Sequence, residues 1–121
     1  MDSPDLRRHV TQYPDGHVIC RQGDRSYYTY ILLSGSVSIL RNGAELAVES
    51  RECAFLGEVS TLSGLPRTAD LIANGEVSVA IVNSAELEHL VVRYPSIAIR
   101  LLKAFAHRLA QATNPTPETG M

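Results

Sequence analysis

The stretch FLGEVSTLSGLPRTADL, residues 55 to 71, holds the residue types best able to do chemistry in this 121-residue chain. A carboxylate, Glu58, follows Gly57, and a guanidinium, Arg67, stands further on, followed by Thr68 and Ala69. Gly57 lets the backbone approach a ligand closely because it has no Cβ. Glu58 to Leu62 is long enough for about one and a half helical turns. The turn Ser63-Gly64-Leu65-Pro66 breaks that helix and returns the chain to an extended segment at Thr68. Arg67 can then swing back over the helix terminus, where unpaired N–H groups and the positive dipole end suit an anion. A guanidinium with several amide donors makes a phosphate site. Glu58 would repel that phosphate, so its place in such a site is opposite a hydroxyl donor on the same ligand, such as a sugar 2′-OH. These residues therefore spell a pocket for a sugar phosphate. Spacing alone also allows a surface turn with an incidental Glu58–Arg67 salt bridge, an interaction worth little.

Most of the elements that must position this stretch are β. Residues 8–13 alternate weakly and end at the turn Pro14-Asp15-Gly16. Residues 17–21 form a short strand closed by Gln22-Gly23-Asp24, and residues 28–33 a strong one. Ser34-Gly35 turns that strand into residues 36–40, and Asn42-Gly43 is a hairpin signal leading to residues 44–48. Residues 68–73 and 76–82 are two further strands, joined at Asn74-Gly75. Short strands with a turn signal at each junction predict a barrel or double-sheet jelly roll. The last third changes period. Asn83 and Glu86 stand at capping-box spacing and open a helix to about Arg93. Pro95 is well placed to start another. On that second helix Ile97, Leu101, Phe105 and Leu109, joined by Ala98 and Leu102, make the apolar face, with Arg100, Lys103 and His107 opposite. The sequence after Ala112, NPTPETGM, has nothing to bury and reads as a disordered tail over residues 114–121.

Composition narrows the function. The chain is one domain's length, 45% apolar and 20% charged, with a net charge of −2. Arg7-Arg8 is the only basic doublet, so no face for nucleic acid is expected from this chain alone. No apolar run approaches the roughly 20 residues of a membrane span, and MDSPDLRRH is no signal sequence; a cytoplasmic location and no membrane partner are expected. Cys20 and Cys53 lack C-x-x-C spacing and read as reduced, buried thiols. The four histidines are scattered singly, and H-x-H, G-x-S-x-G, P-loop and H-E-x-x-H patterns are absent, so neither a metal nor an enzyme activity is expected. A small jelly roll could otherwise be a metal-dependent cupin-like enzyme.

FLGEVSTLSGLPRTADLIA resembles the phosphate-binding cassette of cyclic nucleotide-binding domains, the family that includes the catabolite activator protein, regulatory subunits of cAMP-dependent protein kinase and cyclic-nucleotide-gated channels. PDGHVICRQGD resembles that family's early strand and Gly-Asp turn, YTYILLSGSVSIL its central strand pair, and LEHLVVRYPSIAIRLLKAFAHRL its closing helix pair. The similarity runs over roughly residues 8 to 112, so residues 1–113 are expected to form one such domain: mainly β, an antiparallel β-roll or jelly roll with a short cassette helix and two closing helices. The resemblance implies a cAMP or cGMP ligand. It implies that Gly57 and Glu58 bind the ribose 2′-OH, that Arg67 pairs with the cyclic phosphate, and that the backbone N–H groups of Thr68 and Ala69 complete the anion cup. The Thr68 hydroxyl would reach the phosphate, or the guanine amino group of a syn base. Val59, with Phe55, Leu56, Leu62 and Leu71, would give apolar support. The departures are a very short segment before the first strand, Cys53 where the family usually has Gly, and a closing helix that fades at residues 112–114, where Thr113 is the one candidate to cap the base. A sensor that moves its C-terminal helices, regulating an effector domain or acting as a homodimer, is the implied function. A ligand-free β-roll used for docking or oligomerisation is the alternative.

Overall fold

The computed structural model describes residues 9–113, and the expected tail at 114–121 lies outside them. Six strands and three helices follow one another: β1 Val10–Tyr13, β2 Val18–Cys20, β3 Thr29–Arg41, β4 Ala44–Glu49, β5 Phe55–Leu56, α1 Glu58–Ser63, β6 Asp70–Val82, α2 Ser84–Arg93 and α3 Pro95–Thr113. All strand pairs are antiparallel, and the fold is the expected β-roll with C-terminal helices.

β3 and β6 are continuous 13-residue strands, where the local sequence predicts two strands and a turn in each. The pairing register gives the reason. Ser34 faces Ser78 but Ser36 faces Asn74, so Gly35 alone stands opposite Gly75, Glu76 and Val77. The two turn signals lie side by side and form a bulge, which bends both strands together instead of reversing either. One half of the roll contains β1, β5 and the ends of β3 and β6 near Tyr30 and Val79. The other contains β2, β4 and the ends near Val37 and Ala73. Gly35 makes the bend possible: its φ is 93°, and a Cβ there would lie 2.4 Å from the Glu76 carbonyl oxygen.

Side chains alternate across the pleat, so each face of β3 and β6 feeds its own core. Tyr30, Leu32, Val37, Ile39, Leu71 and Val79 point into the roll, joined by Cys20 and Leu56. Ile31, Ala80 and Val82 point outward and pack with Phe55 against Leu87 and Leu90 of α2 and Ile97 and Leu101 of α3. The strong apolar run at Thr29–Leu32 is therefore buried on both faces. The Asn83–Glu86 capping box forms in both directions, each bond 2.8 Å, and fixes where the strand ends and α2 begins. α3 presents Ile97 and Leu101 inward as its period predicts, but Leu102, expected on that face, is 64% exposed.

Gly35→Ala meets a backbone atom as well as an unfavourable φ, whereas Gly43 has the same φ sign and open space around it. Gly43→Ala should cost about 1 kcal/mol and Gly35→Ala at least twice that, read as the larger loss of Tm in thermal melts. Equal losses would contradict the bulge's role. A second prediction concerns alkali. Burial pushes the Cys20 thiol from 9.0 up to about 11, against a smaller downward pull from Arg67. The unfolded chain therefore releases this proton first, and stability falls as pH rises from about 9 to 11 by roughly 2–3 kcal/mol. Tyr13 and Tyr30, also raised by burial, extend the fall. Urea unfolding at pH 8 and pH 11 should show it, with a shallower decline in Cys20→Ala; parallel declines would exclude Cys20 as a source.

Candidate functional site

β5 is two residues long and pairs Phe55 and Leu56 with Ile31 and Tyr30 of β3, delivering the chain to Gly57. Gly57 takes a left-handed φ of 79° and starts α1. A side chain there would be both strained by that φ and crowded, since a Cβ would stand 2.4 Å from Arg67 Nη1, 3.2 Å from the Tyr28 carbonyl oxygen and 3.3 Å from the Tyr30 ring. α1 is held closed at its far end by Gly64, also left-handed, whose N–H donates to the Ser60 carbonyl at 2.9 Å. The hydroxyl of Ser63 donates back to the Val59 carbonyl. Thr29 donates to the Thr61 hydroxyl at 2.8 Å and ties α1 to β3. Glu58 and Val59 are buried; Leu62, expected as apolar support, faces solvent at 49% exposure.

The returning segment is pinned from both sides. The Arg67 N–H donates to the Asp24 carbonyl at 2.9 Å, and the Gly23 N–H donates to the Arg67 carbonyl at 2.8 Å. The expected Gly23-Asp24 turn is thus the backbone clamp of Arg67. Thr68 and Ala69 lie between this clamp and β6, which begins at Asp70 and not at Thr68. The Arg41 Nε–H donates to the Thr68 carbonyl at 2.9 Å.

The Arg67 side chain is 3% exposed. Its Nη1 donates to the Gly57 carbonyl at 3.0 Å and its Nε to the Ser26 hydroxyl at 2.9 Å, while its carbon lies 5.1 Å from the centre of the Tyr30 ring. Nη2 is buried and has no hydrogen-bond acceptor among the described residues. A buried cationic donor without an acceptor is costly, so the arrangement suits an anion. Neither end of the Glu58–Arg67 segment behaves as a surface turn, since a surface ion pair would leave both groups hydrated.

A cavity of about 800 Å³ opens beside these groups. Gly57, Glu58, Val59, Arg67, Thr68 and Ala69 all line it, so the six residues singled out in the sequence meet on one wall. Its other walls are β4 and the face of α3 that carries Arg100, Lys103 and His107. These three lie opposite the apolar face and are exposed, as their spacing predicts, and they also line the cavity; Arg100 Nη2 donates to the Cys53 carbonyl at 3.4 Å. Cys53 itself holds φ 67°, a conformation that favours glycine. Ser26, Tyr30 and the α3 cations are the residues that local spacing did not indicate. The i, i+3, i+7 spacing of Arg100, Lys103 and His107 marks one helical face, but nothing local says that a cavity lies under it. Among the described residues no group of three or more His, Cys, Asp and Glu side chains could hold a metal ion. No helix among them is long and apolar enough to cross a membrane.

Comparison with known proteins agrees with this geometry. The chain is 32% identical over 120 residues to cyclic nucleotide-gated channel beta-3 of Canis lupus familiaris, covering 93% of this chain and 15% of the channel. It is 32% identical over 114 residues to patatin-like phospholipase domain-containing protein 6 of Mus musculus, covering 88% of this chain and 8% of that protein. The chain thus spans a small part of the curated relatives it matches. Among solved structures, the Thermus thermophilus catabolite activator protein superposes with a TM-score of 0.75 at 26% identity, covering 98% of this chain and 60% of that one. The family model described as the cyclic nucleotide-binding domain matches residues 10–94, and with the β-roll and its closing helices in place the chain belongs to the cyclic nucleotide-binding domain family.

Proposed function

We propose that this domain is a non-catalytic sensor whose cavity takes the ribose and cyclic phosphate of cAMP or cGMP through the α1 segment, and whose α3 reports occupancy. Arg67 pairs with the phosphate through Nη2, and the backbone N–H groups of Thr68 and Ala69 complete the anion cup. Glu58 accepts from the ribose 2′-OH, with the Gly57 backbone beside it, and Val59 packs beneath the sugar. Ser26 and Tyr30 position Arg67. The observation that carries this reading is the buried Arg67 Nη2, lacking an acceptor among the described residues, beside a cavity that Glu58 also lines.

The reporting step rests on α3 having two occupied faces. Ile97 and Leu101 pack on the outer core, while Arg100, Lys103 and His107 line the cavity. A ligand shifts the helix by binding one arrangement better than the other, with Leu101 and Phe105 as the apolar contacts that move. The effector, whether a further domain of a longer protein or a second copy, follows from that movement. A cytoplasmic setting suits such a ligand.

Calorimetric titration with cAMP and cGMP should give saturable binding, and no heat at millimolar nucleotide would overturn the reading. Arg67→Ala should weaken binding by about 2–5 kcal/mol, because it removes one partner of a desolvated charge pair. Glu58→Gln keeps the volume and should cost less, about 1–3 kcal/mol. Unchanged affinity in both folded variants would exclude the cassette. Hydrogen exchange in α3 should slow on binding; unchanged exchange there would remove α3 as the reporter.

A further inference from the structure

Two backbone N–H groups on the cavity wall are oriented by nothing in their own segment. Thr68 and Ala69 lie between Arg67 and the first residue of β6, outside any strand or helix. On one side the backbone is fixed, with the Arg67 N–H and carbonyl both bound by the Gly23-Asp24 turn. The N–H groups of Thr68 and Ala69 have no acceptor among the described residues, although Ala69 is only 7% exposed. An amide in such a place is costly unless something accepts from it. The one polar group of this dipeptide that a side chain holds is the Thr68 carbonyl, which accepts from Arg41 Nε at 2.9 Å.

That bond reaches further than the carbonyl. A peptide unit is planar and trans, so the Thr68 carbonyl and the Ala69 N–H sit on one rigid plate and point in opposite directions. Holding the carbonyl toward Arg41 sets the direction of the Ala69 N–H before any ligand arrives. Arg41 is well anchored for this. It is the last residue of β3, next to Leu40, which pairs with Asp70 at the start of β6. The following residue, Asn42, exchanges two hydrogen bonds with the Gln22 side chain, its N–H donating at 2.8 Å and its Oδ1 accepting at 3.0 Å. The Gln22 N–H donates in turn to Asp70 Oδ1 at 2.7 Å. The hairpin tip, the turn that clamps Arg67 and the start of β6 thus form one hydrogen-bonded frame.

Resting on the function proposed above, we infer that Arg41 is a positioning residue for the anion cup: its Nε–H fixes the Thr68–Ala69 peptide so that the Ala69 N–H is set for a phosphate oxygen. Arg41 also lines the cavity, so its charge could instead act on the phosphate directly. The geometry assigns it the role of a donor at the ε position, and the charge is secondary.

Three substitutions separate donor from charge. Gln places an amide N–H at the ε position and has no charge, Lys keeps the charge with carbon at that position, and Met keeps the length with neither. Calorimetry with cAMP and cGMP should find Arg41→Gln within about threefold of the parent protein and Arg41→Met roughly tenfold weaker for both ligands, with Arg41→Lys no tighter than Arg41→Gln. In the nucleotide-free protein, the ¹⁵N heteronuclear NOE of the Ala69 amide should match the parent in Arg41→Gln and fall in Arg41→Met. If Arg41→Lys keeps its affinity while Arg41→Gln falls, the charge is what matters and the inference fails. It fails equally if Arg41→Met binds like the parent, if its Ala69 amide stays as rigid, or if affinity follows Tm across the three variants. In each of these cases Arg67→Ala still weakens binding and the function proposed above stands. No binding of either nucleotide by the parent protein overturns both.

Discussion

A guanidinium held dry inside a small β-roll is the constraint around which the rest of this domain is arranged. Removing a cation from water costs several kcal/mol unless partners replace the lost hydration. Arg67 has the Gly57 carbonyl, the Ser26 hydroxyl and the Tyr30 ring, each supplied by a different part of the chain. Seating these partners crowds the space where a Gly57 side chain would lie, and the Gly23-Asp24 turn clamps the Arg67 backbone beside them. The group that stays without an acceptor, Nη2, faces the question of function directly: stability alone would favour an apolar side chain there.

The roll supplies the rigid wall for this arrangement. β3 and β6 bend together at Gly35 and Gly75, so that one pair of strands contributes to both halves of the roll and to two cores. Tyr30 looks inward to Arg67 while its neighbour Ile31 looks outward to the helices. The cavity and the C-terminal helices are thus separated by one residue of one strand. α3 touches the outer core with one face, where Leu101 packs, and lines the cavity with the next.

Much of this was legible in the residues, and the rest was hidden for identifiable reasons. The Asn83–Glu86 box, Pro95 at the head of α3 and the Glu58–Ser63 helix are set by contacts within four residues, which spacing records. The six candidate site residues share a wall because their segment is short and turns back on itself. The Ser34-Gly35 and Asn74-Gly75 signals misled because each is a local turn cue overruled by its pairing with the other, about 40 residues away. Ser26 and Tyr30 carry no local mark, since their partner Arg67 comes from the far side of α1. On α3 a single apolar stripe separates inside from outside, and it cannot divide the outside into solvent and cavity; Leu102, read into the stripe, is exposed, and nothing in the spacing shows that Arg100, Lys103 and His107, exposed as expected, also line a cavity.

The central claim, that Arg67 and its neighbours hold the cyclic phosphate, is tested most directly by ¹⁵N-resolved NMR of the side-chain Nε–H of Arg67 and the amides of Gly57, Thr68 and Ala69 during nucleotide titration. These four resonances should shift together and saturate at one affinity, while the amide of Gly43, at the open hairpin between β3 and β4, stays in place. Saturable shifts elsewhere with these four unmoved would contradict the claim.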